Sequence, residues 1–185
     1  PSYATGGCFS VGYLVEHESG RRGHLKALDF SGALQTPDPP QVLQSMTAAY
    51  IFERDLLAKC KNRKLYRIVV SLASGIVRVP GNFGPLENVC YLIFEHGEGN
   101  IRDAVAQFTK FDLAWCLRSL HHTFVGLRQL HSAGIAHQDL KPSNVVFFLD
   151  IGTKITDLGQ ASDSNVKSPS DSHQVPGDVG YAPPE

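Results

Sequence analysis

His137-Gln138-Asp139-Leu140-Lys141-Pro142-Ser143-Asn144, with Asp157-Leu158-Gly159 a short way downstream, is the stretch that decides how this chain is read. By chemistry alone, Asp139 can accept a proton from a hydroxyl nucleophile. Lys141 can neutralise charge on a transferring phosphoryl group. Asn144 and Asp157 offer hard oxygen ligands, suited to magnesium that nucleotide phosphates also hold. Pro142 stiffens the loop between these groups. Taken singly, an Asp or Asn is more often a turn residue or a cap. All four at this spacing, after a strong helix and around a hairpin, point to phosphoryl transfer from a metal-bound nucleotide.

The strong helix is expected from Phe111 to Ser132, where Leu113, Leu117, Leu120, Phe124, Leu127 and Leu130 keep a three-to-four-residue period and Gly134 supplies the stop. After the motif, Val145 to Leu149 and Lys154 to Thr156 flank Asp150-Ile151-Gly152 and predict a short hairpin. Beyond Asp157 the chain turns polar, with Ser162, Ser164, Ser168, Ser170 and Ser172, and reads as a mobile loop. Upstream, His96-Gly97-Glu98-Gly99-Asn100 breaks the pattern and reads as a linker. The first third reads as strands. Phe9 to Glu16 and His24 to Phe30 flank a turn at Ser19 to Gly23, and two more strands are expected at Ile68 to Val79, broken by Ser74-Gly75, and at Val89 to Glu95. Thr36-Pro37-Asp38-Pro39-Pro40 reads as a loop. A helix from Gln41 to Asn62 follows, with Tyr50, Ile51, Leu56, Leu57 and Cys60 on its apolar stripe.

The chain has 185 residues with 42% hydrophobic content, enough for one domain or one domain of two lobes. A net charge of -1 gives no push toward nucleic acid or a membrane surface. The basic run Lys59, Lys61, Arg63, Lys64 and Arg67 reads as a solvated helix end. Cys8, Cys60, Cys90 and Cys116 are far apart, which argues against a zinc site or redox pair and for a reducing, cytoplasmic setting. The longest apolar runs are too short to span a membrane. The chain has no initiator Met and no signal-like start, and it reads as cut at both ends.

The motifs resemble the eukaryotic-type protein kinase family. His137-Gln138-Asp139 stands where that family has H-R-D, Asp157-Leu158-Gly159 stands at D-F-G, and Pro183-Pro184-Glu185 stands at A-P-E. The form Asp139-Leu140-Lys141-Pro142-Ser143-Asn144 is that of serine/threonine kinases. The resemblance implies an α+β, bilobal fold. Residues 1–96 would form an N-lobe with an antiparallel sheet and one main helix, and 97–185 part of a mostly helical C-lobe. It implies ATP and Mg2+, and a protein substrate with a Ser or Thr acceptor. Asp139 and Lys141 would act in catalysis, and Asn144 and Asp157 would hold the metal. Lys26 would bind the α and β phosphates, and Glu53 would orient Lys26. Gly6, Gly7 and Ser10 would lie in the phosphate loop, Glu95 and Gly97 in the hinge that holds adenine, and Val146 in the nucleotide pocket. Phe94 falls at the gatekeeper position, and Leu57, His137 and Leu158 fit the family's hydrophobic column.

Four positions depart from the family. Ser10 takes the third glycine of the phosphate loop, which limits its backbone freedom. His24 replaces a small residue that normally contacts adenine. Gln138 replaces the H-R-D arginine and cannot make a charge-assisted pair with a phosphorylated loop residue, so activity is expected not to depend on that contact. Asp178 stands where serine/threonine kinases usually have threonine, within expected reach of Lys141 and Asp139. These departures keep a nucleotide-binding pseudokinase as the alternative. The Asp139 to Asn144 form and Tyr181-Ala182-Pro183-Pro184-Glu185 argue against a small-molecule kinase.

Overall fold

Residues 10–80, 87–107, 112–169 and 177–181 are described in the structure, which is a computed structural model. The chain forms two compact units. One takes in the residues up to Arg54 and Val70–His96. The other takes in Asp55–Val69 and the residues from Gly97 on.

In the first unit, β1 (Ser10–Glu16) and β2 (Arg22–Leu28) form the expected hairpin, in register from Ser10 opposite Leu28 to Glu16 opposite Arg22. Gly20, at φ 80, lets the chain reverse at the turn. β3 (Ser71–Arg78) and β4 (Asn88–Glu95) complete an antiparallel sheet in the order β1-β2-β4-β3. Cys90, Leu92 and Phe94 are buried on alternate positions of β4, as the two-residue strand period dictates. Helix α1 (Pro39–Asn62) buries Met46, Tyr50 and Phe52, and Tyr50 reaches this sheet. The Tyr50 hydroxyl donates to the Gly75 and Tyr91 carbonyls at 3.1 and 3.3 Å, so its polar end is satisfied inside the packing.

Three expectations for this unit are corrected. Pro39 and Pro40 begin α1 rather than end a loop. First-turn N–H groups have no intrahelical partner, so proline forfeits nothing there, and the Asp38 side chain caps the turn by accepting from Gln41 N. β3 runs unbroken through Ser74-Gly75, and its irregularity lies between Ser71 and Ala73 instead. Ile51 points outward, and Phe52 is buried in its place.

The second unit holds β5 (Gly99–Asn100), α2 (Ile101–Gln107), α3 (Leu113–Ser132), β6 (Ile135–Ala136), the hairpin β7 (Val145–Phe148) and β8 (Gly152–Ile155), and β9 (Ser162–Asp163). β5 lies inside the expected linker and pairs with β7. The Asp112 carboxylate caps α3 by accepting from Trp115 N, and Gly134, at φ 74, follows its end. The expected start at Phe111 lies outside the described residues.

The apolar stripe of α3 is not its core face. Leu113, Leu117, Leu120 and Phe124 are all more than half exposed, and of the stripe only Leu130 is fully buried. The buried face instead carries Ser119, Gly126 and Leu130 and packs on β8. Small residues there let the helix backbone approach the strand. The Thr153 hydroxyl donates to Ser119 O at 3.2 Å, and a Cβ on Gly126 would sit 2.9 Å from Ile155 Cδ1 and 3.2 Å from Arg67 O. Arg67 and Val69 in turn exchange backbone hydrogen bonds with Ile155, so the segment from Arg67 to Val69 lies alongside β8.

The basic run is less solvated than its sequence implies. Lys59 is ion-paired with Asp163, and Arg67 donates to the carbonyls of Ile151 and Thr153. Cys60 and Cys90 are buried free thiols, and burial pushes the Cys60 thiol up to about 11, which keeps it unreactive. Cys8 lies outside the described residues. Among the described residues no helix is long and apolar enough to cross a membrane.

Because the α3–β8 contact leaves no room for a side chain, Gly126→Val should destabilise the protein by about 1–3 kcal/mol, and Gly126→Ala by less. Urea denaturation checks this. Equal stability of Gly126→Val and the parent would show that the contact is looser than described.

Candidate active site

The motif is built from the backbone outward. β6 delivers the chain to His137, whose ring is 2% exposed. Its Nε2–H donates to Thr156 O at 3.0 Å, and its Nδ1 accepts from Asp139 N at 3.3 Å. One ring thus ties the motif to the strand end that carries Asp157. Burial lowers the ring's pKa below its ordinary value. The Thr156 hydrogen bond and the nearby Asp157 and Asp139 charges oppose this without reversing it. Gln138 and Asp157 both adopt left-handed backbone, at φ 61 and 63. Such conformations are rare for residues with a Cβ and persist where surrounding structure enforces them.

Lys141 is extended, and Pro142 opens a short 3-10 turn (Pro142–Asn144) that returns Asn144 toward Asp139. The Asp139 carboxylate accepts from Lys141 Nζ at 3.0–3.1 Å, from Asn144 Nδ2 at 3.1 Å and from Asp178 N at 2.9 Å. Asn144 Nδ2 also donates to Asp139 O at 2.8 Å. These bonds orient the amide and leave Asn144 Oδ1 without a donor among the described residues. Thr156 N donates to Asn144 O at 3.0 Å, so the backbones of the two proposed ligand positions, Asn144 and Asp157, run beside each other. An amide oxygen and a carboxylate in this relation suit a hard divalent cation such as magnesium.

Asp178 enters this site in two ways. Its backbone N–H fixes Asp139, and its carboxylate lies 3.6 Å from Lys141 Nζ, so Lys141 bridges two acids. Burial lowers the Lys141 pKa, but the hydrogen bond and charge of Asp139, with those of Asp178, outweigh it and raise the ammonium above its ordinary value. Gly177 makes this approach possible. It stands at φ 82, and a Cβ there would strike Gln138 O and come within 3.0 Å of Asp139 Cα. The family resemblance flagged Asp178 for its side chain alone. The backbone contact depends on Gly177, whose pairing with Asp178 was the available signal.

In the first unit, Lys26 Nζ donates to both oxygens of Glu53, at 2.9 and 3.1 Å. Lys26 projects from β2 and Glu53 from α1, and Glu53 is 5% exposed, so the pair is shielded from solvent on the acid side. His24 lies opposite Phe94 in the β2–β4 register, and Phe94 is buried. Partial burial, then His96 and Lys26, lower the His24 pKa, which favours its neutral ring. The Glu95 backbone N–H is committed to Val70 O, and its carboxylate accepts from Val70 N at 2.8 Å. Ser10 opens β1. Gly6 and Gly7 lie outside the described residues, as do Pro183, Pro184 and Glu185. In the second unit, Gly97 packs so closely on Val146 that any Cβ would overlap its side chain.

The polar run after Asp157 is corrected in part. Ser162 and Asp163 form β9, paired with β6, and the buried Ser168 hydroxyl donates to Ala161 O at 2.9 Å. A two-residue pairing between polar and apolar partners leaves no periodic signal in sequence. Ser170 and Ser172 lie outside the described residues.

Residues 19–185 match the protein kinase domain family. The chain belongs to the protein kinase family. This kinase domain is 27% identical over 150 residues to an Aurora kinase of Debaryomyces hansenii, which covers 75% of this chain and 36% of that protein. It is 30% identical over 115 residues to a stress-activated protein kinase JNK of Suberites domuncula, covering 60% of this chain and 31% of the relative. A serine/threonine-protein kinase of Drosophila simulans is 33% identical over 81 residues, covering 40% and 11%. The chain thus spans about a third or less of the length of these curated relatives. The antiparallel sheet with its helix in one unit, and the helices with short hairpins in the other, are the α+β arrangement of this family.

The buried His137 ring gives the kinase domain a defined acid sensitivity. The folded ring takes up its proton at lower pH than the unfolded ring, whose ordinary value is 6.5. Stability is therefore retained above that value and lost as pH falls below it. Urea midpoints at pH 7.5 and 5.5 should fall less for His137→Asn than for the parent. Equal drops would remove His137 as a contributor.

Proposed function

We propose that this chain carries the nucleotide-binding and catalytic residues of a serine/threonine protein kinase, which transfers the γ-phosphoryl group of ATP to a protein hydroxyl. The observation that carries this reading is the Asp139 carboxylate, held by Lys141, Asn144 and the Asp178 backbone. Asp139 orients the acceptor hydroxyl and takes its proton. Lys141, already shared between two acids, offers its ammonium to the charge on the phosphoryl group in flight. Asn144 Oδ1 and the Asp157 carboxylate hold Mg2+, which, when bound, neutralises phosphate charge.

Lys26 binds the α and β phosphates, and the two Glu53 contacts preset its direction. Gly6, Gly7 and Ser10 approach the phosphates through backbone. Glu95 and Gly97 present backbone groups to adenine. With Glu95 N–H committed to Val70, the Glu95 contribution is its carbonyl. Val146, in contact range of Gly97, supplies apolar surface under the base. In this reading residues 1–96 act as the nucleotide lobe and 97–185 as the catalytic portion, in a reducing, cytoplasmic setting.

A second reading, nucleotide binding without transfer, is favoured by one observation. Asp178 adds a second carboxylate on Lys141, and this competes with phosphate for the ammonium. Two substitutions separate the readings. Asp157→Asn should lose magnesium-dependent nucleotide binding. Asp139→Asn should keep that binding within about threefold and lose about a thousandfold or more in kcat. Thermal-shift titration with ATP and magnesium, beside turnover with a generic protein substrate, reads both. Binding without turnover in the parent would favour the second reading.

A further inference from the structure

Lys59, near the end of α1, and Asp163, in β9, are ion-paired in the second unit, and the mechanism above uses neither. The Asp163 side chain is 2% exposed and that of Lys59 is 23% exposed. This is not the solvated surface pair whose contribution is near zero. Lys59 takes Oδ2 of the carboxylate. Asn165 donates to Oδ1 from its backbone N at 2.9 Å and from Nδ2 at 3.3 Å. Burial by itself would raise the Asp163 carboxyl pKa. Lys59 and Asn165 outweigh burial and hold it below the ordinary carboxylate value.

The location gives the pair its importance. Asp163 lies opposite Ile135 and Ser162 opposite Ala136, and β6 leads directly into His137. On the other side, Leu158 and Ala161 are fully buried, Ala161 N donates to Leu158 O, and the Ser168 hydroxyl returns to Ala161 O. The chain from the left-handed Asp157 to Ser168 is therefore a compact arch. β9, with only two residues, is its paired strand, and a strand this short has little stability of its own. The Lys59 ammonium is the cation that makes the buried Asp163 tolerable there. Without it, β9 would carry an uncompensated buried charge, and the arch would open to hydrate it.

We infer that Lys59 and Asp163 are positioning residues of the candidate active site: their ion pair holds the segment from Leu158 to Ser168 on β6 and so keeps Asp157 in its left-handed setting. The charge that anchors the segment is encoded in the sequence, so no phosphate is needed to order it. Where this is expressed as activity, the inference rests on the proposed kinase function.

The test uses the intact protein with Lys59→Met, Lys59→Arg, Asp163→Asn and the double variant Lys59→Met with Asp163→Asn. Amide hydrogen exchange should accelerate about tenfold or more at Leu158–Ser168 in Lys59→Met, with β7 and β8 unchanged. In the same variant kcat should fall about tenfold or more and KM for ATP should rise, since displacing Asp157 weakens the hold on magnesium-bound nucleotide as well as the chemistry. Lys59→Arg should restore both. The double variant should recover part of the Lys59→Met loss, because it removes the unpaired charge. Phosphatase treatment should leave the parent's kcat unchanged. Unchanged exchange at Leu158–Ser168, or a uniform stability loss with kcat intact, would overturn the inference. If the parent shows no turnover, the kinase reading fails on its own, and the exchange comparison still decides whether the pair positions the segment.

Discussion

The candidate site depends on one buried imidazole. His137 has no contact with solvent to speak of, and both ring nitrogens are used, one on Asp139 N and one on Thr156 O. Those bonds join two chain segments that each contain a left-handed residue, Gln138 and Asp157. Either conformation alone is unfavourable by about 1 kcal/mol or more for a residue with a Cβ. Together they turn Asp139 and Asp157 out of the regular strand and loop paths. A ring that can donate and accept at once, with burial favouring its neutral form, meets this geometric need.

Around that ring the site is a chain of dependencies rather than a set of independent groups. The Pro142–Asn144 turn brings the Asn144 amide back onto Asp139 and faces its oxygen away from that bond. Gly177 permits the close approach by which Asp178 N reaches Asp139. Lys141 then lies between two carboxylates, which favours its charged form. The electrostatic balance at Lys141 is set in part by Asp178, a residue nearly forty positions away.

Much of this architecture was legible in the sequence where local rules act alone. The β1–β2 and β7–β8 hairpins follow turn residues and strand period, and α1 and α3 follow helical spacing. The readings that failed have separate physical causes. Pro39 and Pro40 are helix breakers only where an N–H is needed, and a first turn needs none. On α3 the conspicuous leucines drew attention from Ser119 and Gly126, because close packing of helix on strand selects small residues that carry no hydrophobic signal. β5, β6 and β9 are two residues long, below any periodic pattern. At the site, the motif and the distant Lys26 and Glu53 were found through residue type and family spacing, and the structure places the latter two in hydrogen-bonding contact. The Asp178 backbone contact and the Lys59–Asp163 pair, joined across 104 residues, arise only once the chain is folded.

The central claim is that these groups move a phosphoryl group from ATP to a serine or threonine hydroxyl of a protein. Phosphoamino-acid analysis of a mixed protein substrate, incubated with the intact protein, magnesium and γ-labelled ATP, tests it most directly. The account predicts label on phosphoserine and phosphothreonine, absent when magnesium is chelated. Label confined to phosphotyrosine, or no transfer to protein from an enzyme preparation that binds ATP, would contradict it.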